Sequence, residues 1–183
     1  MTEKEEMKML LAEALKQCMR KVPLEKITVT QIVRTCGTTR QTFYRHFQDK
    51  YDLVHWVFDQ ILMQSFAHMG EGKTVYEALV NKFTYIREEL IFFQAAFRCD
   101  MQNSLREHDF RLILAFYTDR ITRICPLSDT LRFQLEMYCQ GSVYMTVKWL
   151  MEGAQLAPLQ LARQLCDAMP AELEKTFRRL ELK

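Results

Sequence analysis

The stretch Ile27–Lys50, ITVTQIVRTCGTTRQTFYRHFQDK, constrains this chain more than any other. Thr28 stands three residues before Gln31, the spacing of a capping box, in which a hydroxyl and an amide side chain satisfy each other's backbone N–H groups. Val29, Ile32 and Val33 then recur at helical spacing and give a buried face. Gly37 follows, where a helix end wants a left-handed residue at little steric cost. Thr38 and Gln41 repeat the box, and Phe43 and Phe47, four apart, bury one side of a second short helix. Thr39, Arg40, Gln41, Tyr44, Arg45 and His46 fall on its other side or its edges. Two short helices joined at Cys36-Gly37, the second carrying these groups, form a helix-turn-helix, whose second helix fits the major groove of DNA.

The same segment resembles the DNA-binding domain of the TetR family of bacterial regulators. The matching signature is Thr28-x-x-x-Ile32, the turn glycine Gly37, and then Thr42-Phe43-Tyr44-Arg45-His46-Phe47-Gln48-Asp49-Lys50, about an eighth of the chain. The run RQTFYRHFQDKYDLVHWVFD, through Arg40 to Tyr44, Phe47-Gln48, Trp56 and Phe58, is similar to the DhaS-like subgroup, typified by the activator of dihydroxyacetone kinase operons. Carried over position by position, the resemblance implies that Thr39, Arg40 and Gln41 face base edges. It implies that Thr28, Tyr44, Arg45, His46 and Lys50 hold phosphates, with Thr28 capping a helix whose N-terminus faces the backbone. Where many relatives have a glycine or small residue this chain has Gln41, so its base preference is not inherited.

Charge distribution agrees. Residues 1–50 hold ten Lys/Arg and six Asp/Glu, a balance of +4, against fifteen and seventeen in the remainder, a balance of −2. Positive charge gathers where the motif lies, as phosphate binding requires. The excess is modest, so affinity must come from placed contacts and two copies of the domain. Other classes fall away. There is no glycine-rich phosphate loop, no Ser/His/Asp ordering and no metal spacing, and His46, His55, His68 and His108 are scattered, so neither an enzyme nor a cofactor is expected. The six cysteines lie far apart with no Cys-x-x-Cys pair, which argues against zinc. No secretory signal and no apolar run long enough to span a bilayer is read, so a cytoplasmic protein with reduced thiols is expected.

Five glycines, four prolines and the lack of alternating β-branched runs predict an all-α chain of about nine helices. A first helix is expected over about Thr2–Arg20, and a fourth from about Asp49, with Leu53, Trp56, Val57, Ile61 and Leu62 on its buried side. Gly70 and Gly72 end that helix. The expected division is a helix-turn-helix head over 1–48, a linking helix 49–69, and a body over 70–183 for effector binding and dimerisation. In the body, Thr74/Glu77 and Ser104/Glu107 read as further capping boxes. The next helix spans about Asp129–Glu152, and a last one has Pro158 in its first turn and kinks at Pro170.

Apolar residues recur along the helix from Asp129 at steps of four and three, a seam for another helix. Gly141 and Ser142 at mid-helix invite close approach by a neighbour. Leu135, Gly141, Ser142, Met145 and Trp149, with Leu165, Met169 and Leu173 of the last helix, are therefore the expected homodimer interface. A two-fold dimer spaces two recognition helices for a near-palindromic double-stranded operator. The body's aromatic and polar residues suggest an effector pocket, for which Phe83, Phe93, Phe97, His108, Arg111, Tyr117 and Tyr138 are the candidates. The resemblance implies a small-molecule effector there; a regulatory protein partner, in a DhaS-like co-activator, stands as the alternative. No membrane partner is expected.

Overall fold

The computed structural model describes residues 2–66, 74–99 and 104–181. Gly70 and Gly72, the end of the linking helix and His68 lie outside the described residues. Ten α-helices stand among the described residues, and no strand: α1 Glu3–Met19, α2 Val29–Cys36, α3 Arg40–His46, α4 Lys50–Phe66, α5 Val75–Glu88, α6 Leu90–Arg98, α7 Leu105–Thr122, α8 Asp129–Met151, α9 Pro158–Asp167 and α10 Ala171–Glu181. A 3₁₀ turn, Leu24–Lys26, precedes α2. The helix starts follow local chemistry. Thr2 with Glu5, Thr28 with Gln31 and Thr74 with Glu77 close capping boxes, and Ser128 accepts from the Leu131 N–H. Ser104 instead sits at φ 51°, outside the extended conformation of a side-chain cap, although α7 begins where the sequence puts it. The expected kink at Pro170 is a full break. Proline lacks the N–H and crowds the preceding turn, so α9 ends at Asp167 and α10 starts at Ala171.

Contacts divide the chain into two units, Met1–Gln60 with Ile91–Leu105, and Ile61–Leu90 with Arg106–Lys183. In the first, α1 packs on α2 and α3. Leu11 and Leu15 of α1, Ile32 of α2, Phe43 of α3 and Leu53 of α4 are fully buried. Phe47 stacks edge-on against Trp56 at 5.9 Å, and Phe58 meets Phe93 and Phe97 of α6 at 6.0 and 6.1 Å. Each buried phenylalanine of this kind contributes about 1.5–3 kcal/mol of transfer free energy. The short, very apolar α6 thus completes the core of this unit against α4, a role its sequence does not advertise.

In the second unit α5 packs on α9 and α8 on α10. Phe66, Tyr117 and Phe177 stack in series at 5.9 and 4.8 Å, and Phe83 meets Trp149 at 5.7 Å. The polar tips of two buried rings find carbonyls: the Trp149 indole donates to Leu156 O at 2.9 Å, and the Tyr138 hydroxyl to Leu165 O at 3.1 Å. One ion pair, Lys82–Asp109 at 3.3 Å, is buried between α5 and α7. Burial pushes the Asp109 carboxyl above its ordinary value, and Lys82 opposes that shift.

Candidate nucleic-acid interface

The interface is built from the turn before α2 outward. Thr28 donates its backbone N–H to Gln31 Oε1 at 2.7 Å and accepts from the Gln31 N–H at 3.3 Å. With the cap closed, Ile32 and Val33 face the core and Thr28, Gln31 and Arg34 stay exposed. Gly37 ends α2 at φ 72°, ψ 29°, and the chain folds back: the Thr38 N–H reaches Val33 O at 2.9 Å and the Gly37 N–H reaches Arg34 O at 3.3 Å. This pair of bonds is a Schellman ending, and it fixes the angle at which α3 leaves α2.

The cap of α3 is one residue later than expected. Thr39, not Thr38, is the N-cap, its hydroxyl accepting from the Thr42 N–H at 3.1 Å. Thr38 is already committed to closing α2, so the box with Gln41 does not form. Arg40 and Gln41 therefore open the helix and are exposed, with Thr39 exposed beside them. Phe43 is fully buried and anchors the helix from below. On the outer side the polar residues pair along the helix. The Arg40 guanidinium approaches the Tyr44 hydroxyl at 3.5 Å and lies 5.9 Å from its ring centroid. Arg45 donates to Thr42 Oγ1 at 3.3 Å, and Thr42 shares a hydrogen bond with Thr39 at 3.1 Å. Thr42 was not among the expected contacts, yet its spacing of three from both Thr39 and Arg45 was there to be read.

Two of the expected phosphate ligands stand differently. His46 is half-buried, and its Nδ1 is enclosed with no hydrogen-bond partner among the described residues. Desolvation, then Arg45, Lys4 and Lys8, hold its imidazole below the ordinary value. Lys50 does not reach out to solvent as the resemblance implies. Its ammonium donates to Leu24 O at 2.7 Å, Glu25 O at 2.8 Å and Ile27 O at 2.8 Å. All three of its donors are used. Tyr44 and Arg45 are exposed on α3.

The expected effector-pocket residues fall in both units. Phe93 and Phe97 belong to the first, packed on Phe58. In the second, Phe83, Tyr117 and Tyr138 are buried in ring and hydrogen-bond contacts, His108 is half-buried, and Arg111 is exposed beside Glu107 at 3.5 Å. None of the seven lines the open apolar pocket of about 180 Å³ formed by Leu62, Met63 and Phe66 of α4 and Leu112, Ile113, Ala115 and Phe116 of α7. Of the expected dimer residues, Leu135, Trp149, Leu165 and Leu173 are buried within the single chain, Ser142 and Met169 are half-buried, and Gly141 and Met145 are exposed. The apolar groups that α8 shows to solvent are Phe133, 67% exposed, Met137, 54%, Tyr144, 64%, and Met145, 40%.

Comparison with known proteins agrees with this geometry. Residues 11–57 match the family model described as bacterial regulatory proteins, tetR family. Residues 73–170, more than half of the chain, match the model of a transcriptional regulator C-terminal region. The HTH-type dhaKLM operon transcriptional activator DhaS of Lactococcus lactis subsp. lactis (strain IL1403) is 30% identical over 95 residues, 50% of this chain and 49% of that protein. The chain thus spans about half the length of the curated relative it matches. A solved structure of a dihydroxyacetone kinase operon activator DhaS superposes with a TM-score of 0.68 at 21% identity, covering 92% of this chain and 97% of that one, which is a likeness of fold.

Proposed function

The chain belongs to the TetR family of bacterial regulatory proteins, and from that premise we propose how this DNA-binding transcriptional regulator reads its site. Arg40 and Gln41, exposed at the start of α3, contact base edges in the major groove, arginine suiting guanine and glutamine adenine. Thr39 serves first as the helix cap and stands at the same edge. Thr28, Tyr44 and Arg45 hold phosphates on either side, with His46 at the rim. The observation that carries this reading is the exposed, capped first turn of α3 over a fully buried Phe43.

The regulator acts as a homodimer on a near-palindromic operator, its two recognition helices roughly 34–36 Å apart. The exposed side of α8, with Phe133, Met137 and Tyr144 spaced four and seven apart, supports that pairing. Gly141 lies on the same side, and a Cβ there would meet nothing within 4 Å, which leaves room for a partner's helix to come close. Residues 1–48 carry the reading head and 49–69 the link, and the effector and dimer functions belong to 70–183 apart from Ile91–Leu105, which groups with the head. An effector would sit in the second unit. The apolar groove between α4 and α7, lined by Leu62, Phe66, Ile113 and Phe116 among others, suits a small apolar molecule. The likeness to DhaS supports the DhaS-like subgroup and activation of transcription.

Salt-dependent binding tests the reading directly. Fluorescence anisotropy of the purified chain on a duplex from its own upstream region, between 50 and 200 mM salt, should give a log–log line of steep negative slope. Affinity for that duplex no greater than for a scrambled one of equal length would refute sequence reading by this chain.

A further inference from the structure

The turn that delivers the chain into α2 is held by side chains from two later parts of the chain. Lys50, the first residue of α4, places its ammonium on Leu24 O, Glu25 O and Ile27 O at 2.7–2.8 Å. These carbonyls gather at the end of the 3₁₀ turn Leu24–Lys26, the end where a cation is electrostatically favoured, and Leu24 O also accepts the Ile27 N–H at 3.2 Å. The Glu25 carboxylate is in turn hydrogen-bonded by the thiol of Cys99, the residue after α6. Burial and this carboxylate push the Cys99 thiol up to about 12, so it stays protonated and keeps its donor. Thr28, the cap of α2, follows Ile27 directly, and Gly37 then hands the orientation of α2 to α3. A half-buried lysine with three short bonds to carbonyls has no donor left for a phosphate, and Asp49, which caps α4 through Tyr51 and Asp52, fixes the backbone from which it reaches.

We propose that Lys50, seconded by the Glu25–Cys99 contact, is a positioning residue for DNA reading: it locks the Leu24–Ile27 turn and so sets the register in which α2 and α3 meet the duplex. The assignment rests on the DNA-reading function above and gives Lys50 a role other than the phosphate contact implied by the family motif. Base contacts need that register, whereas loose association with any polyanion does not, so the two forms of binding respond differently when the lock is removed.

The test compares wild type with Lys50→Met, which keeps the length of the side chain and loses its donors. The probes are a duplex selected by the wild-type chain from a randomised pool and a scrambled duplex of the same length. Both are measured at a temperature where circular dichroism finds each variant fully folded. The proposal expects affinity for the selected duplex to fall tenfold or more, affinity for the scrambled duplex to stay within about twofold, and the salt slope on scrambled DNA to be unchanged. A comparable loss on both duplexes, with the slope shallower by about 0.9, would make Lys50 a phosphate ligand and overturn the proposal. So would a lowered melting temperature with both affinities intact, which is a merely structural role. Should Lys50→Met fail to fold, Cys99→Ala and Cys99→Ser carry the same question: alanine should weaken selected binding alone, serine should restore it, and equal behaviour of the two would count against the lock. A wild-type chain that selects no sequence at all would refute the reading function itself, and this assignment with it.

Discussion

Arg40 leaves the protein at the first residue of α3, its guanidinium leaning over the Tyr44 ring. A bidentate arginine contact to guanine discriminates strongly, so Arg40→Ala should cost about 1–3 kcal/mol on the selected duplex and relax preference at one base pair; binding to a panel of single-base variants measures both. His46 makes a different prediction. Its imidazole sits below the usual 6.5 because burial and the cations Arg45, Lys4 and Lys8 disfavour the charged ring. The unfolded chain therefore binds the proton more readily, and folding stability is lost as pH falls from about 6.5 through the lower folded value. Thermal melts between pH 7.5 and 5 should show this loss, and His46→Gln should lessen it. Much at this scale was legible beforehand: Thr28 with Gln31 and the exposed Arg40 and Gln41 follow from spacing alone. The choice between Thr38 and Thr39 did not, because each has a polar partner three residues on. Only the bond from the Thr38 N–H to Val33 O, made as α2 closes, settles which hydroxyl is free to cap.

Each helix depends on what stops it as much as on what it buries. Gly37 stands in the left-handed region, and a Cβ there would meet nothing within 4 Å. Gly37→Ala should therefore destabilise by the backbone term alone, about 1–2 kcal/mol, seen in urea unfolding as a lower midpoint with an unchanged slope. A larger loss would mean that the angle between α2 and α3 had also given way. The break at Pro170 was half-read: proline forecasts trouble in a helix, but whether the chain bends or stops depends on where Leu173, Phe177 and Leu180 find their core, and all three are buried. The seam on α8 misled for a related reason. That helix is apolar on two sides, with Leu135 and Trp149 inward and Phe133, Met137 and Tyr144 outward. Periodicity detects a stripe and cannot say whether its own chain or another covers it.

At the scale of the molecule, the sequence marked the reading head by charge and motif, and the match of residues 11–57 agrees. It gave no sign that Ile91–Leu105 would join Met1–Gln60 in one unit. An all-round apolar run such as that in α6 fits any core, and its sequence neighbours lie in the other unit. The proposed dimer yields the last prediction. Met137 is more than half exposed, so Met137→Glu should leave the monomer's stability within about 0.5 kcal/mol while dispersing dimers to single chains in analytical ultracentrifugation, and operator affinity should fall with them. A wild-type chain sedimenting as a monomer at micromolar concentration would remove the basis of that expectation. Uncovered rings on α8 carry a quantitative corollary. If two chains must meet through Phe133 and Tyr144 before either half-site is worth holding, occupancy at low copy number rises with the square of the amount of protein, and halving expression would quarter the fraction of operators filled.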